Sequence, residues 1–181
     1  MSIFKTKWII IKIHKIKNWE FLYTIFTREY WKLLCNKKFS KKEKNLDLWY
    51  IINFEIITKE NQSIHKIKNI KIISQLINKN QNFNYINTYL LLLAIMNDKC
   101  PKWLVINELF EIINFINNEN NDEIDLILLR LKMISIFWEL NESHKNKTIS
   151  KILKFINSNK INRILKLTGI NIELKKELEN I

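Results

Sequence analysis

The sequence predicts an all-α protein, a helical bundle with a C-terminal helical extension, and three observations carry that prediction. Apolar residues recur at three- and four-residue steps through most of the 181 residues, the period of a helix with one buried stripe. A single glycine, Gly169, and a single proline, Pro101, leave almost no turn signals. No segment reads as a clear period-two strand.

In chain order, Trp19, Leu22, Tyr23, Phe26 and Tyr30 place one apolar stripe on a helix over residues 16–35, and the lysine-rich 36–45 ends it. Leu46, Trp49, Tyr50, Asn53, Phe54 and Ile57 repeat the pattern, with Asp47 where a negative charge suits a helix N-terminus. Ser63 is placed to cap a third helix carrying Ile64, Ile67, Ile70 or Lys71, and Ser74 in a less regular stripe. After a loop at 78–84, residues 85–96 are apolar nearly all round, as the central helix of a bundle would be. Pro101 suits the first position of a fifth helix, where its missing N–H costs nothing; Val105 or Ile106, Leu109, Ile113 and Ile116 form its stripe, and 117–121 end it. Residues 122–140 form a sixth, with Ile124, Ile127, Leu128, Leu131, Ile134 and Phe137 or Trp138 inward. Two or three short amphipathic pieces follow, split at 158–160 and at Gly169, a candidate C-cap. The expected division is a main domain over residues 1–137 and a basic extension over 138–181.

Composition narrows function. A formal net charge of +12 favours polyanionic partners, nucleic acid first and acidic membrane surfaces second. Isoleucine, asparagine and lysine recur throughout, as in an AT-rich genome, and that bias alone makes basic proteins. The charge is uneven: Lys and Arg outnumber Asp and Glu by 12 to 3 in residues 1–44 and by 9 to 3 in 143–181, whereas 104–142 holds 2 against 8. Basic ends thus flank an acidic segment. Cys35 and Cys100 form no CxxC pair and read as reduced, buried thiols of a cytoplasmic protein. His14, His65 and His144 have no partner at ligand spacing, so no metal is expected. Lysines interrupt the apolar start, which argues against a signal peptide, and the run from Leu90 to Met96 is far below the roughly 20 residues of a spanning helix, so a soluble protein is expected.

Catalysis is not expected. One glycine cannot build GxGxxG or GxxxxGK, and GxSxG and HExxH are both missing. No cofactor is implied. The carboxylates Glu108, Glu111, Glu119, Asp122, Glu123 and Asp125 read as a solvated acidic face. Near the start, Lys12, Lys15 and Lys17 beside His14 offer charge for phosphates, and Trp19 and Tyr23 offer rings for stacking on unpaired bases. Core packing is the competing reading for both rings, and a solvated arm for the lysines.

The segment PKWLVINELFEI (101–112) resembles the signature of the transcription antitermination factor NusB family: a proline opening a helix, an Ile-Asn-Glu triplet five residues later and a further acid beyond. Here these are Pro101, Ile106, Asn107, Glu108 and Glu111. INTYLLLLAI (86–95) is similar to the family's preceding helix, KIHKIKNWEFLY (12–23) to its basic entry into the first helix, and DLWYIINFEII (47–57) lies where its second long helix would. The family's Asn-Gly-Val-Leu-Asp box is not readable in 125–132, and 138–181 has no counterpart in a minimal member. The resemblance implies two packed three-helix subdomains that bind a boxA-like single-stranded RNA with the small ribosomal protein NusE, and so help RNA polymerase read through terminators. It places Lys12, His14, Lys15, Lys17 and Tyr23 on the RNA side. Pro101, Ile106, Asn107, Glu108 and Glu111 would orient the fold or meet the basic ribosomal partner. The alternatives are a non-catalytic scaffold of a ribosomal or organellar complex, and the detached RNA-binding module of an rRNA cytosine methyltransferase.

Overall fold

The computed structural model describes residues 2–41, 43, 45–58, 62–75, 83–101, 106–118, 121–137 and 139–181. The chain forms two compact units, Met1–Lys79 with Met96–Val105, and Asn80–Ile95 with Ile106–Ile181. The all-α expectation fails in the first of these, which is built on β-structure.

Five strands, β1 (Ser2–Lys17), β2 (Glu20–Thr27), β3 (Trp31–Lys38), β4 (Ile51–Thr58) and β5 (Ile64–Ser74), close into a barrel in the order β1-β2-β3-β5-β4. Closure leaves no open sheet edge. The long β1 serves two neighbours: Ser2 to Ile9 pair with β4, and Trp8 to Lys17 pair with β2. All contacts are antiparallel except a short parallel one, Leu34 to Asn36 of β3 against Ile64 to Lys66 of β5. A five-stranded Greek-key barrel of this order is the OB-fold arrangement. Its interior is filled by Ile10, Tyr23, Ile25, Cys35, Ile52, Phe54, Ile56 and Ile67, with Phe39 and Leu46 from the β3–β4 connection.

Bulges explain why these strands mimic helices in sequence. In β1, Ile10 pairs with Ile25 and Lys12 with Thr24, so Ile11 is an extra residue. That insertion turns both Ile10 and Ile13 inward, three residues apart, opposite Ile25 and Tyr23, which are two apart. In β5, Asn53 pairs with Lys71 and Glu55 with Lys68, leaving one residue extra on β5 around Asn69, whose φ is 51°. Asparagine enters this left-handed region more readily than other non-glycine residues. The bulge brings Ile67 and Ile70 onto the same core, and it is this spacing of three that reads as a helical step. The helices expected over 16–35, from Leu46 to Ile57 and from Ser63 are therefore β2 with β3, β4 and β5.

The remaining elements are helical: α1 (Phe83–Lys99), α2 (Asn107–Asn118), α3 (Glu123–Ile136), α4 (Lys147–Ser158), α5 (Ile161–Ile164) and α6 (Ile172–Glu179). The division between the two units falls within α1. The central helix of the second unit is α3, in which Leu126 to Leu129, Leu131 and Met133 are all buried; α1 keeps Ile86, Leu90 and Leu91 exposed. A reciprocal capping box opens α3: Asp125 N–H donates to the Asp122 side chain, and Asp122 N–H to that of Asp125. Ile127, Leu128 and Leu131 of α3 pack with Ile149, Ile152, Leu153 and Ile156 of α4, Ile164 of α5 and Leu178 of α6. Gly169 has φ 84° but lies in the α5–α6 connection, beyond the Leu165 cap of α5. Residues 102–105 and Trp138, which the sequence assigns to helices, lie outside the described residues.

Candidate functional site

The outer wall of β1, β2 and β3 brings basic and apolar side chains together in register. Lys12 of β1 faces Thr24 of β2, which faces Leu34 of β3; one step along, His14, Leu22 and Asn36 form a second row. Side chains two apart on a strand share a face, and neighbouring strands lie about 4.8 Å apart, so the two rows make one continuous patch. The patch lines a trough of about 380 Å³ bounded by Lys12, His14, Leu22, Thr24, Lys32 and Leu34, with Asn97 beside it. Lys32 Nζ donates to the Asn97 carbonyl at 2.6 Å, which holds the lysine against the trough wall. At the far end Asn36 Nδ2 donates to Glu20 Oε1 at 2.8 Å. Lys12 and His14 are exposed; Leu22, Thr24 and Leu34 are half-buried, so the floor is apolar and one rim cationic.

The β1–β2 hairpin turns through Asn18 and Trp19, since Lys17 pairs with Glu20. Trp19 has φ 65° and is 40% exposed. The left-handed region costs a bulky residue roughly 1–2 kcal/mol, so an indole held there at a hairpin tip marks a constrained position. Its carbonyl accepts the Phe39 N–H at 2.7 Å, tying the tip to the chain leaving β3.

The sequence-derived candidates divide on this frame. Lys12 and His14 lie in the trough. Lys15 alternates to the other face opposite Phe21, and Lys17 sits at the hairpin; both are exposed. Tyr23 is fully buried among Ile25, Cys35 and Phe39, so its ring is part of the barrel core. Burial pushes its phenol well above the ordinary range and the Asp47 charge adds to the rise, while a Leu46 backbone hydrogen bond opposes it. Thr24, Lys32, Leu34 and Asn36 carry no site signal of their own in the sequence, because the register that aligns them is set by pairing between strands. Their one readable signal is the alternation of Lys12, Ile13 and His14.

The second set is divided between the two units. Pro101 belongs to the barrel unit, and Ile106 to Glu111 belong to the helical unit. Pro101 is half-buried and precedes α2 by several residues, so it does not open that helix. Ile106 accepts the Leu109 N–H at its carbonyl, and Asn107 and Glu111 are exposed. Glu108 lies 3.9 Å from the ammonium of Lys132, a buried lysine of α3, so it meets a charge of its own unit.

Both cysteines are buried thiols; burial raises Cys35 to about 12 and Cys100 to about 11, the latter against an opposing pull from Lys32. Among the described residues no group of three His, Cys, Asp or Glu is placed to hold a metal. No described helix is long and apolar enough to cross a membrane.

The chain matches no known family model and no curated protein. The NusB resemblance thus gains no support, and strands at Glu20–Thr27 and Ile51–Thr58 stand where it implied helices.

Proposed function

We propose that the barrel binds single-stranded nucleic acid across the outer wall of β1, β2 and β3. The observation that carries this reading is the trough of Lys12, His14, Leu22, Thr24, Lys32 and Leu34, which joins a cationic rim to an apolar floor. Lysines neutralise phosphates, and an apolar floor takes the face of an unpaired base, which a duplex keeps stacked inside. Trp19 at the hairpin tip adds a ring for stacking. Five-stranded Greek-key barrels bind oligonucleotides on this wall and on the first hairpin loop, an argument by analogy of fold that adds to the residues. The net charge of +12 supports electrostatic attraction of any such strand.

The antitermination role loses the helical frame that carried it and is not retained. Binding without catalysis is the activity proposed, and reduced, buried Cys35 and Cys100 suit a cytoplasmic setting. The test is fluorescence anisotropy with labelled 12-nucleotide dT and U strands, across a salt series, for the native protein and for Lys12→Gln with His14→Gln. Tight, salt-dependent binding weakened by the double variant is expected. Equal binding by native and variant proteins removes the trough from the interaction.

A further inference from the structure

The second unit carries a separate basic surface. Residues 145–166 hold seven Lys and Arg and no Asp or Glu, and all seven are exposed. Lys147, Lys151 and Lys154 of α4 fall within an arc of about 60° and a length of about 10 Å at 3.6 residues per turn and 1.5 Å per residue. The opposite face of α4, Ile149, Ile152, Leu153 and Ile156, is buried against α3, α5 and α6. Lys160, Arg163 and Lys166 continue the basic run through α5. Among the described residues none of these six cations has a carboxylate partner, although the same unit pairs Lys175 with Glu123 and Glu179, Lys132 with Glu108, and His144 with Glu177.

We infer that this α4 strip is a second, independent binding surface for the phosphate backbone of nucleic acid. A rigid helix holds the three lysines at fixed separations of about 4.5–6 Å along its axis, so the strip meets a run of phosphates with little side-chain reorganisation. The exposed strip carries no aromatic residue to stack on bases, since Phe155 of α4 is half-buried against the core. Contact is therefore with the backbone alone and does not need unpaired bases. A membrane surface fits less well. An interfacial helix buries its apolar face in lipid, and the apolar face of α4 is already used in the protein core.

The test uses the full chain and a labelled 16-base-pair duplex, a probe that offers the barrel trough no unpaired base. Lys147→Gln, Lys151→Gln and Lys154→Gln together should weaken duplex binding at least 10-fold at low salt. They should also make the slope of log K against log salt shallower by about 2–3, as about 0.9 per lost phosphate contact requires. Replacing the same three lysines by arginine should restore both. An unchanged affinity and slope in the glutamine variant overturns the inference, as does failure of the native protein to bind the duplex. Loss of duplex binding in the Lys12→Gln, His14→Gln protein would move that binding to the barrel and also overturn it. Capture of vesicles rich in phosphatidylserine by the native protein but not by the glutamine variant, without an effect on duplex, would assign the strip to membranes instead. Single-strand binding by the trough variants is read separately, so either site can fail without the other.

Discussion

Replacing Asn69 by valine separates the barrel from a helical fold by stability alone. Asn69 sits at φ 51° in the β5 bulge, and its Nδ2 donates to Glu55 Oε2 at 2.9 Å on the exposed surface. A β-branched residue there loses the tolerance that asparagine has for the left-handed region, about 1 kcal/mol of the 1–2 kcal/mol that handedness costs. Loss of the exposed hydrogen bond adds about 0.5 kcal/mol, the low end of the net value for such bonds. The sum is about 1.5 kcal/mol, a fall of about 3–6 °C in melting temperature for a chain of this size. In a helix, by contrast, asparagine and valine have nearly equal propensity and the exchange would be neutral. Asn69→Gly, which has no left-handed penalty, is expected within about 0.5 kcal/mol of the native protein. The assay is urea unfolding followed by circular dichroism for all three proteins. Equal stability of the valine and native proteins would refute the bulge, and with it the register that turns Ile67 and Ile70 into the barrel.

Other consequences follow from particular contacts. Trp19→Ala should weaken single-strand binding by about 5- to 150-fold, the range for one base-aromatic stack, with native far-ultraviolet circular dichroism; unchanged affinity in anisotropy would exclude the indole from the site. Ile52→Ala empties a fully buried position of the barrel and should cost about 2–5 kcal/mol in urea unfolding, whereas a cost below 1 kcal/mol would place Ile52 outside the core. Asp122→Ala removes the α3 capping box and should cost about 1 kcal/mol in the same measurement. The Cys35 thiol rises from 9.0 to about 12 on folding, so its contribution to stability is complete below pH 9 and is lost as pH climbs from 9 toward 12. Thiol labelling at pH 8 should therefore be slow in the native protein and fast in urea, and fast native labelling of Cys35 would contradict its burial.

The sequence reads best where a helix has one covered face and one wet one. The α4 pattern, with Ile149, Ile152, Leu153 and Ile156 inward and Lys147, Lys151 and Lys154 outward, is legible because its 3.6-residue period is unbroken. Asp122 likewise announces the start of α3. The barrel was hidden for two physical reasons. Bulges near Ile11 and Asn69 convert inward steps of two into steps of three, which is a helical spacing. In β2, Tyr23, Ile25, Phe26 and Thr27 are all fully buried, so alternation between wet and dry faces is erased. At the site, Lys12 and His14 are readable as a basic cluster, but the two rings offered for stacking have different fates: Trp19 is exposed and Tyr23 fills the core. A positive φ at residue 19 has no signature in a tryptophan, and cross-strand rows such as Lys12, Thr24 and Leu34 exist only once the register is known.

In the proposed function, unpaired bases meet the wall of β1, β2 and β3. Amide and indole chemical shifts of the isotope-labelled protein, followed while an 8-nucleotide strand is added, test it most directly. Shifts are expected at Lys12, His14, Leu22, Thr24, Lys32 to Asn36 and the Trp19 indole, beside those that the phosphates cause at the α4 lysines. Shifts confined to residues 145–166, or an unchanged spectrum at saturating strand, would contradict it.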